Sequence, residues 1–375
     1  MAVTASTLQQ VPEFSCGFKI LVRRTRRENQ IVLELQPRKS PAYWFFKLLG
    51  GLWKVLVILC QTILIAWPTL AIYYSRLPWF WLRLVLALAF MVFSAWTFWF
   101  ARRPRMYLVY AGLALIVLVW FLSLRPTHDR NWRPDVAVMP RVSIDGDRVR
   151  ITNVRNFEYR SRNDFTIRYE DREVLLSHLT SVDFIISYWM PGPIAHTFLS
   201  FNFNNALPVS ISIEARPEVG GGFSPLPSMF RTFELIYVVA DERDVIGVRT
   251  NFRNEDVFLY PLNVSPESAR ALFLVYLDRI NQLADRPEFY NLLVSNCTLN
   301  IVRYARLVGK PNRLDIRYLL NGFSDRYLYD HGFLNTTLPF NELRRRSRIN
   351  DAAQAAGDSP DFSERIRASL PPARP

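Results

Sequence analysis

HTFLSFNFNNALPVSISIEAR, residues 196–216, contains the clearest strand pattern in the chain. Apolar and polar residues alternate on both sides of residues 204–206, which is typical of two half-buried strands joined in a hairpin. Apart from Phe198, the apolar residues carry odd numbers in both strands, so they share one buried face only if paired residues have the same parity. A three-residue loop satisfies this condition, and the resulting register places His196 opposite Glu214.

The polar part of the chain, residues 125–375, is predicted to mix strands and helices, which makes the fold class α+β. A helix is predicted from Pro266 to about residue 284, with Ser265 as its N-cap. Residues 125–179 are expected to form a linker and the start of the domain, and residues 341–375 a helical segment with a frayed end. β-branched and aromatic residues between turn signals predict further strands at 183–190, 232–240, 245–249 and 257–260.

A second helix is predicted from Cys297 to about residue 308, because Asn296 is a natural N-cap and Gly309 a natural stop. The unpaired amides and the positive dipole at a helix start favour the thiolate form of a cysteine. Cys297 is therefore a candidate nucleophile, and His196 opposed by a carboxylate is the base that such a nucleophile needs. The ordinary alternatives are a small buried cysteine and a hydrogen-bonded structural histidine.

Three apolar runs precede this domain, at about 51–73, 79–99 and 106–124, and each is long enough to span a bilayer, which takes ~20 residues of helix. Basic residues are concentrated before the first run and between the second and third. Because such residues stay on the inner side, residues 1–40 are expected to be a basic cytoplasmic segment. The three crossings, within residues 41–124, would then deliver the rest of the chain to the outer side.

The remaining composition excludes two classes of function. The formal net charge of +13 does not predict nucleic-acid binding, because only five of the 46 basic residues are lysine and many of the arginines flank the membrane runs. Of the three cysteines, Cys16 is expected in the cytoplasm and Cys60 in lipid, which leaves Cys297 as the only exported thiol. No CxxC motif occurs and the four histidines are scattered, so no metal site is predicted.

The run FYNLLVSNC, which ends at Cys297, resembles the cysteine motif of circularly permuted papain-like enzymes such as the lecithin retinol acyltransferase family. In those enzymes the histidine comes first and the cysteine about a hundred residues later; here His196 precedes Cys297 by 101 positions. From about residue 180 onward, the chain also resembles the N-terminal periplasmic domain of the Lnb family of bacterial lipoprotein N-acyltransferases. The segments that carry this resemblance include HTFLSFNF, VSISIEARPE, FELIYVVADERDVIGVRTNFR, VFLYPL and DFSERIR.

The resemblance implies a permuted papain-like catalytic domain over residues 180–340, with Cys297 as nucleophile, His196 as base and no cofactor. Glu214 is the candidate for the third member of a triad, and Asn296 or Tyr290 for a donor to the oxyanion. In one respect the chain departs from the family: its membrane runs precede the domain, whereas the namesake carries its membrane part afterwards.

The function that follows is thiol acyl transfer at the periplasmic face of a bacterial inner membrane, with a membrane lipid as donor. The resemblance implies a lipoprotein N-terminus as acceptor. Arg216, Arg249 and Arg253 are candidates to hold a phosphate headgroup, with ordinary solvated arginines as the alternative. Two other functions stay open. The same residues could serve a cell-wall amidase or peptidase, or the domain could be a non-catalytic, membrane-anchored binding module. The sequence leaves the oligomeric state undetermined.

Overall fold

The computed structural model describes residues 18–24, 31–37, 41–309 and 315–371. The chain divides into two compact units: the first runs up to Ile72 and includes Leu84–Val117, and the second comprises Tyr73–Arg83 and the chain from Leu118 onward. Cys16 and residues 372–375 lie outside the described residues, as does most of the basic segment 1–40. The first unit contains the antiparallel pair β1 (Phe18–Arg24) and β2 (Ile31–Pro37) and most of α1 (Pro41–Tyr73), α2 (Phe80–Trp99) and α3 (Arg105–Ser123).

The three long helices are apolar enough to cross a membrane, with mean hydropathies of 2.2, 1.8 and 2.2 over their best windows. They confirm the three predicted runs, except that α1 begins about ten residues earlier than expected, at Pro41. Most of their large apolar side chains are exposed, as helices that face lipid require.

An eight-stranded sheet forms the centre of the second unit, in the order β12-β8-β9-β10-β11-β4-β3, with β7 also paired to β4. Neighbouring strands are antiparallel except at the single parallel contact between β11 and β4. The strands are β3 (Arg141–Asp145), β4 (Arg148–Arg155), β5 (Glu158–Tyr159), β6 (Phe165–Thr166), β7 (Tyr169–Leu175), β8 (Leu179–Tyr188), β9 (His196–Phe203), β10 (Val209–Arg216), β11 (Glu234–Ala240) and β12 (Asp256–Pro261), where β5 and β6 form a separate pair.

Helices cover both faces of this sheet. The odd-numbered apolar residues of β9 and β10 pack with α5 (Pro266–Asp285) and α6 (Cys297–Leu307) in the larger core. On the other face, a second core contains Phe198 together with residues of the C-terminal helices, such as Phe362. The shorter helices are α4 (Glu242–Val245), α7 (Ser324–Asp330), α8 (Phe340–Ser347), α9 (Asn350–Ala356) and α10 (Phe362–Arg365).

The hairpin register agrees with the prediction, since Val209 pairs with Phe201 and Ser212 with Phe198. The even-numbered face of the hairpin is nevertheless not open to water: Ser200, Ser210 and Ser212 are fully buried. Its hydroxyls are satisfied internally, and Ser200 donates to Oε1 of the buried Glu242 at 2.5 Å.

Three expectations require correction. Residues 245–249, predicted as a strand, are helical: they fall in α4 and in the π-helical turn Val248–Phe252. Residues 141–175 supply strands β3 to β7, although no strand was predicted there. The C-terminal segment is packed rather than frayed up to Pro371, because Arg367 reaches between β8 and α4 to pair with the buried Asp183 and Glu242.

Candidate active site

Cys297 is the first residue of α6, and the structure confirms the predicted cap. Asn296 accepts a hydrogen bond from the Leu299 N–H at 2.8 Å through Oδ1 and donates from Nδ2 to the Leu292 carbonyl at 2.7 Å. The thiol is 2% exposed and lies at the positive end of the helix dipole. Gly309 follows α6 with a φ of +80°, so it adopts the left-handed conformation of a helix stop.

His196 begins β9, and its imidazole is held by a neighbouring serine. Its Nε2 lies 2.7 Å from Ser212 Oγ, and Ser212 Oγ donates to Glu214 Oε1 at 2.8 Å. The Ser212 hydroxyl has one proton, which it donates to the carboxylate. It can therefore only accept a hydrogen bond from His196, so Nε2 carries the ring proton. Nδ1 is therefore the ring nitrogen available to the Cys297 thiol.

Glu214 lies beside His196 as the register predicts, but the two side chains are linked through the Ser212 hydroxyl. His196 Nε2 and Glu214 Oε1 are 3.8 Å apart, which is too far for a hydrogen bond. Ser212 was not selected from the sequence, although its position two residues before Glu214 on the same strand face was visible there.

The acidity of Cys297 reflects two opposing influences. Burial would raise the pKa of the thiol, but a hydrogen bond from His196, the charge of its ring and hydrogen bonds from Thr197 together lower this pKa to about 6. The sulfur also accepts from Asn321 Nδ2 at 3.5 Å. At neutral pH the thiol is therefore ionised, and the thiolate is the reactive form of a cysteine nucleophile.

Glu214 remains ionised although it is shielded from water. Burial would raise its pKa, but Arg249, His196, Arg155 and Arg253 hold that pKa well below its usual range. Arg249 makes the closest contact, with Nη2 donating to Glu214 Oε1 at 2.9 Å. The carboxylate therefore keeps its negative charge and continues to accept the Ser212 proton.

Asn321 is a site residue that the sequence reasoning missed. Its Oδ1 accepts from the Ala195 N–H at 2.9 Å, which turns Nδ2 toward the Cys297 sulfur, and the side chain is 2% exposed. The next residue, Gly322, packs so closely on the loop before β9 that an added Cβ would lie 2.6 Å from the Gly192 carbonyl oxygen. An Asn-Gly pair in a sequence indicates only a turn, so nothing there marked Asn321 as a site residue.

The two oxyanion donors predicted from the sequence fare differently. Both polar groups of Asn296 are used in capping α6, so this residue does not offer a donor to a substrate. Tyr290 lines the cleft together with Cys297, and burial raises the pKa of its hydroxyl well above its usual value. Asn321 Nδ2 and the Tyr290 hydroxyl are therefore the candidate side-chain donors to an oxyanion.

These groups open into one cleft of about 680 Å³. Cys297, His196, Glu214, Tyr290 and Asn321 all contribute to its wall. The cleft lining combines charged residues, namely Arg133, Asp135, Arg162, Arg249, Arg253 and Glu255, with apolar residues, namely Trp189, Ile194, Phe223 and Leu292. Within the described part of the chain, no group of three or more His, Cys, Asp or Glu side chains is arranged to hold a metal ion.

Only one of the three predicted headgroup arginines is suitably placed. Arg216 lies outside the cleft, where its Nε donates to the Val136 carbonyl at 2.8 Å and its guanidinium stacks on Trp132. Arg249 lines the cleft but is engaged by Glu214. Arg253 lines it with a side chain that is 21% exposed and only long contacts, 3.8 Å to Asp135 and 4.0 Å to Glu255.

Fold and site together define a class: a membrane protein whose three apolar helices precede a mixed α+β domain with a cysteine–histidine pair in a cleft. Residues 165–322 match the family model described as the Lnb N-terminal periplasmic domain, the family that this segment resembles in sequence. The matched segment contains Cys297, His196, Ser212, Glu214, Tyr290 and Asn321. No curated protein and no solved structure showed significant similarity to the chain.

Proposed function

We propose that this chain is a membrane-anchored thiol acyltransferase that works at the periplasmic face of the bacterial inner membrane. The observation that carries the proposal is the pairing of Cys297, at a helix start, with His196, which lowers the pKa of the thiol to about 6. The order of the two residues, with the histidine on a strand before the cysteine helix, is also that of a circularly permuted papain-like domain. The basic residues before the first span favour a cytoplasmic N-terminus.

In the first half-reaction, the Cys297 thiolate attacks an ester carbonyl carbon of a phospholipid and forms a C–S bond. Negative charge moves to the carbonyl oxygen, where the Asn321 amide and the Tyr290 hydroxyl can donate hydrogen bonds. The tetrahedral intermediate then collapses, the ester C–O bond breaks, and the His196 Nδ1–H protonates the departing alkoxide. The products are a lysophospholipid and an acyl thioester on Cys297.

In the second half-reaction, an amine attacks the thioester carbonyl and His196 Nδ1 takes the proton that the amine loses. The C–S bond breaks, which leaves an amide product and restores the Cys297 thiolate. An N-terminal amine of a lipoprotein is the acceptor that the family resemblance suggests. Ser212 and the ionised Glu214 keep the proton on Nε2 throughout, so that Nδ1 is the nitrogen that exchanges protons.

The mixed lining of the cleft supports a lipid as acyl donor. Trp189, Ile194 and Phe223 offer apolar surface to an acyl chain, and Arg253 with the exposed Arg162 offers positive charge to a phosphate headgroup. A cleft with both properties next to one thiol matches a phospholipid better than it matches a wholly polar cell-wall peptide.

Mass spectrometry of the intact protein after incubation with phospholipid tests the proposal. We expect the mass of one acyl chain to be added to the wild-type protein, to be removed by hydroxylamine and to be absent from Cys297→Ser. The control variant Ser210→Ala changes a buried serine of β10, the strand that carries Ser212 and Glu214. This variant should acquire the same mass. Wild-type protein that stays unmodified with every phospholipid, and instead cleaves muropeptides, would make the amidase the better assignment.

A further inference from the structure

Three loops that border the cleft contain no charged residue. They are residues 189–195, 219–230 and 291–296, which read WMPGPIA, VGGGFSPLPSMF and NLLVSN, in a chain of which 21% is charged. Each of them contributes to the cleft wall, through Trp189 and Ile194, through Phe223, and through Leu292. We call these three loops the apolar rim.

Large apolar side chains of the apolar rim point into solvent. Val294 is 64% exposed, Met190 60%, and Leu293 52%. Three exposed apolar loops around one opening form a patch that a soluble surface rarely carries without a binding function. The exposed Ile144 on β3 has a different setting, because it lies next to Asp145, which pairs with Arg148 across the strands.

The ends of the membrane spans lie at this same edge of the second unit. The Tyr74 ring packs on Phe230 of the apolar rim with centroids 5.6 Å apart, and Arg76 pairs with Glu234 at 2.7 Å. Arg231, next to Phe230, donates to the carbonyls of Phe121, Leu122 and Leu124 at the end of α3.

The link from these span ends to the thiol is short. The guanidinium groups of Arg76 and Arg231 both lie over the ring of Phe289, at 5.1 and 5.5 Å, and the neighbouring Tyr290 lines the cleft beside Cys297. The bilayer surface must lie where the spans end. The apolar rim, which adjoins those ends, is therefore placed where lipid is available.

We propose that the apolar rim inserts into the outer surface of the bilayer and that acyl chains enter the cleft directly from the lipid phase. The occupant of the rim is a membrane lipid, since the loops offer apolar contact and backbone polar groups but no charge for a protein or peptide partner to match. The proposal rests on the proposed function for the identity of the substrate, but the insertion itself is a property of the loops.

Fluorescence quenching of full-length protein in phospholipid nanodiscs tests the insertion. Val294→Cys and, separately, Met190→Cys are labelled with NBD in a background where Cys16, Cys60 and Cys297 are replaced by serine. Ile144→Cys, an exposed apolar position on β3 at 49% exposure, is the matched control. Replacing phosphatidylcholine with a lipid that carries a nitroxide on its acyl chain should quench both rim labels at least twofold more than the control label.

Equal quenching at 294, 190 and 144 would overturn the proposal. Because the labelled proteins lack Cys297, this result is independent of whether a thioester forms, and failure of the acyl-transfer proposal leaves it unaffected. The two label positions lie on different loops, so the test can still be read if one variant fails to fold. Gel filtration of each variant checks that it is folded.

Discussion

At the scale of single residues, the site depends on the protonation of one imidazole. Ser212 has one proton to give and gives it to Glu214, so the histidine must present its own Nε2 proton to the serine. This arrangement keeps the lone pair, or the transferable proton, on the side of Cys297. In the proposed reaction, the Ser212 hydroxyl fixes the tautomer of the histidine, a role that a direct histidine–carboxylate contact has in other nucleophile sites.

Replacing Ser212 with alanine should slow acyl transfer by about ten- to a hundred-fold, because the imidazole loses the partner that fixes its tautomer. KM for the lipid should change little, and Ser212→Thr, which keeps the hydroxyl, should recover most of the rate. Ser210→Ala, on the same strand and equally buried, is the control for folding. Equal activity in Ser212→Ala and wild type would show that the Ser212 hydroxyl has no role.

The thiol should react with iodoacetamide as a low-pKa cysteine. Since the pKa of Cys297 is lowered to about 6, the thiolate is present above that pH and lost below it. The alkylation rate, followed by mass spectrometry, should rise through pH 6 and level off by about pH 7. In His196→Gln the midpoint should move toward the ordinary value of 9.0. A midpoint that is the same in both proteins would contradict a role of His196 in lowering the pKa of Cys297.

At the scale of elements, the site is assembled by four separate pieces of chain. Strand β9 brings His196, strand β10 brings Ser212 and Glu214, and helix α6 brings Cys297. The turn Asn321–Phe323 brings Asn321, and it is fixed by the Gly322 N–H, which donates to the Pro193 carbonyl at 2.8 Å. This backbone contact ties the turn to the loop that leads into β9, so Asn321 and His196 are positioned together.

Gly322→Ala should disturb the site without altering any polar group in it. A Cβ at this position would lie 2.6 Å from a backbone oxygen, so the turn must move, at a cost of about 1–3 kcal/mol. We expect a lower midpoint of thermal unfolding and a loss of acyl-transfer rate as Asn321 leaves the sulfur. Gly247→Ala, where nothing lies within 4 Å of the added atom, should keep both. A fully active Gly322→Ala would argue against Asn321 as an oxyanion donor.

Sequence patterns predicted those parts of the site whose structure depends on residues close together in the chain. The hairpin register followed from loop length and parity, and the start of α6 followed from Asn296 as a cap. Asn321 could not be predicted, because it contacts a sulfur 24 positions away through a turn that any Asn-Gly pair could form. Residues 245–249 have a strand-like composition, but packing makes them helical there.

At the scale of the whole molecule, the sheet is enclosed by helices that come last in the chain. The strands β3 to β7 escaped prediction partly because the ladder between β4 and β7 shifts register between Ile151 and Val154, which interrupts the alternation. The even-numbered face of the hairpin is covered partly by residues more than a hundred positions away, such as Phe362, and partly by nearer ones, such as Glu242. Packing against residues so distant in sequence cannot be predicted from the alternation within the strand itself.

Arg367→Ala should destabilise the domain strongly. Arg367 neutralises Asp183 and Glu242, whose side chains are 3% and 0% exposed, and its loss leaves two buried carboxylates unpaired, at a cost of about 3–5 kcal/mol. Arg365→Ala, two residues away, removes only an exposed pair with Asp361 and should cost at most about 1 kcal/mol. Thermal unfolding in detergent compares the two variants; equal midpoints would mean that the buried pairs are not needed.

The position of Arg367 also affects the order in which the molecule can be completed. Strand β8 and helix α4 present Asp183 and Glu242 long before the ribosome reaches the codon for their shared cation. A nascent chain that already contains Cys297 and His196 therefore still has an unneutralised acidic pair beneath its sheet. Cys297 therefore becomes part of a closed domain only after the ribosome has added the residues up to Arg367.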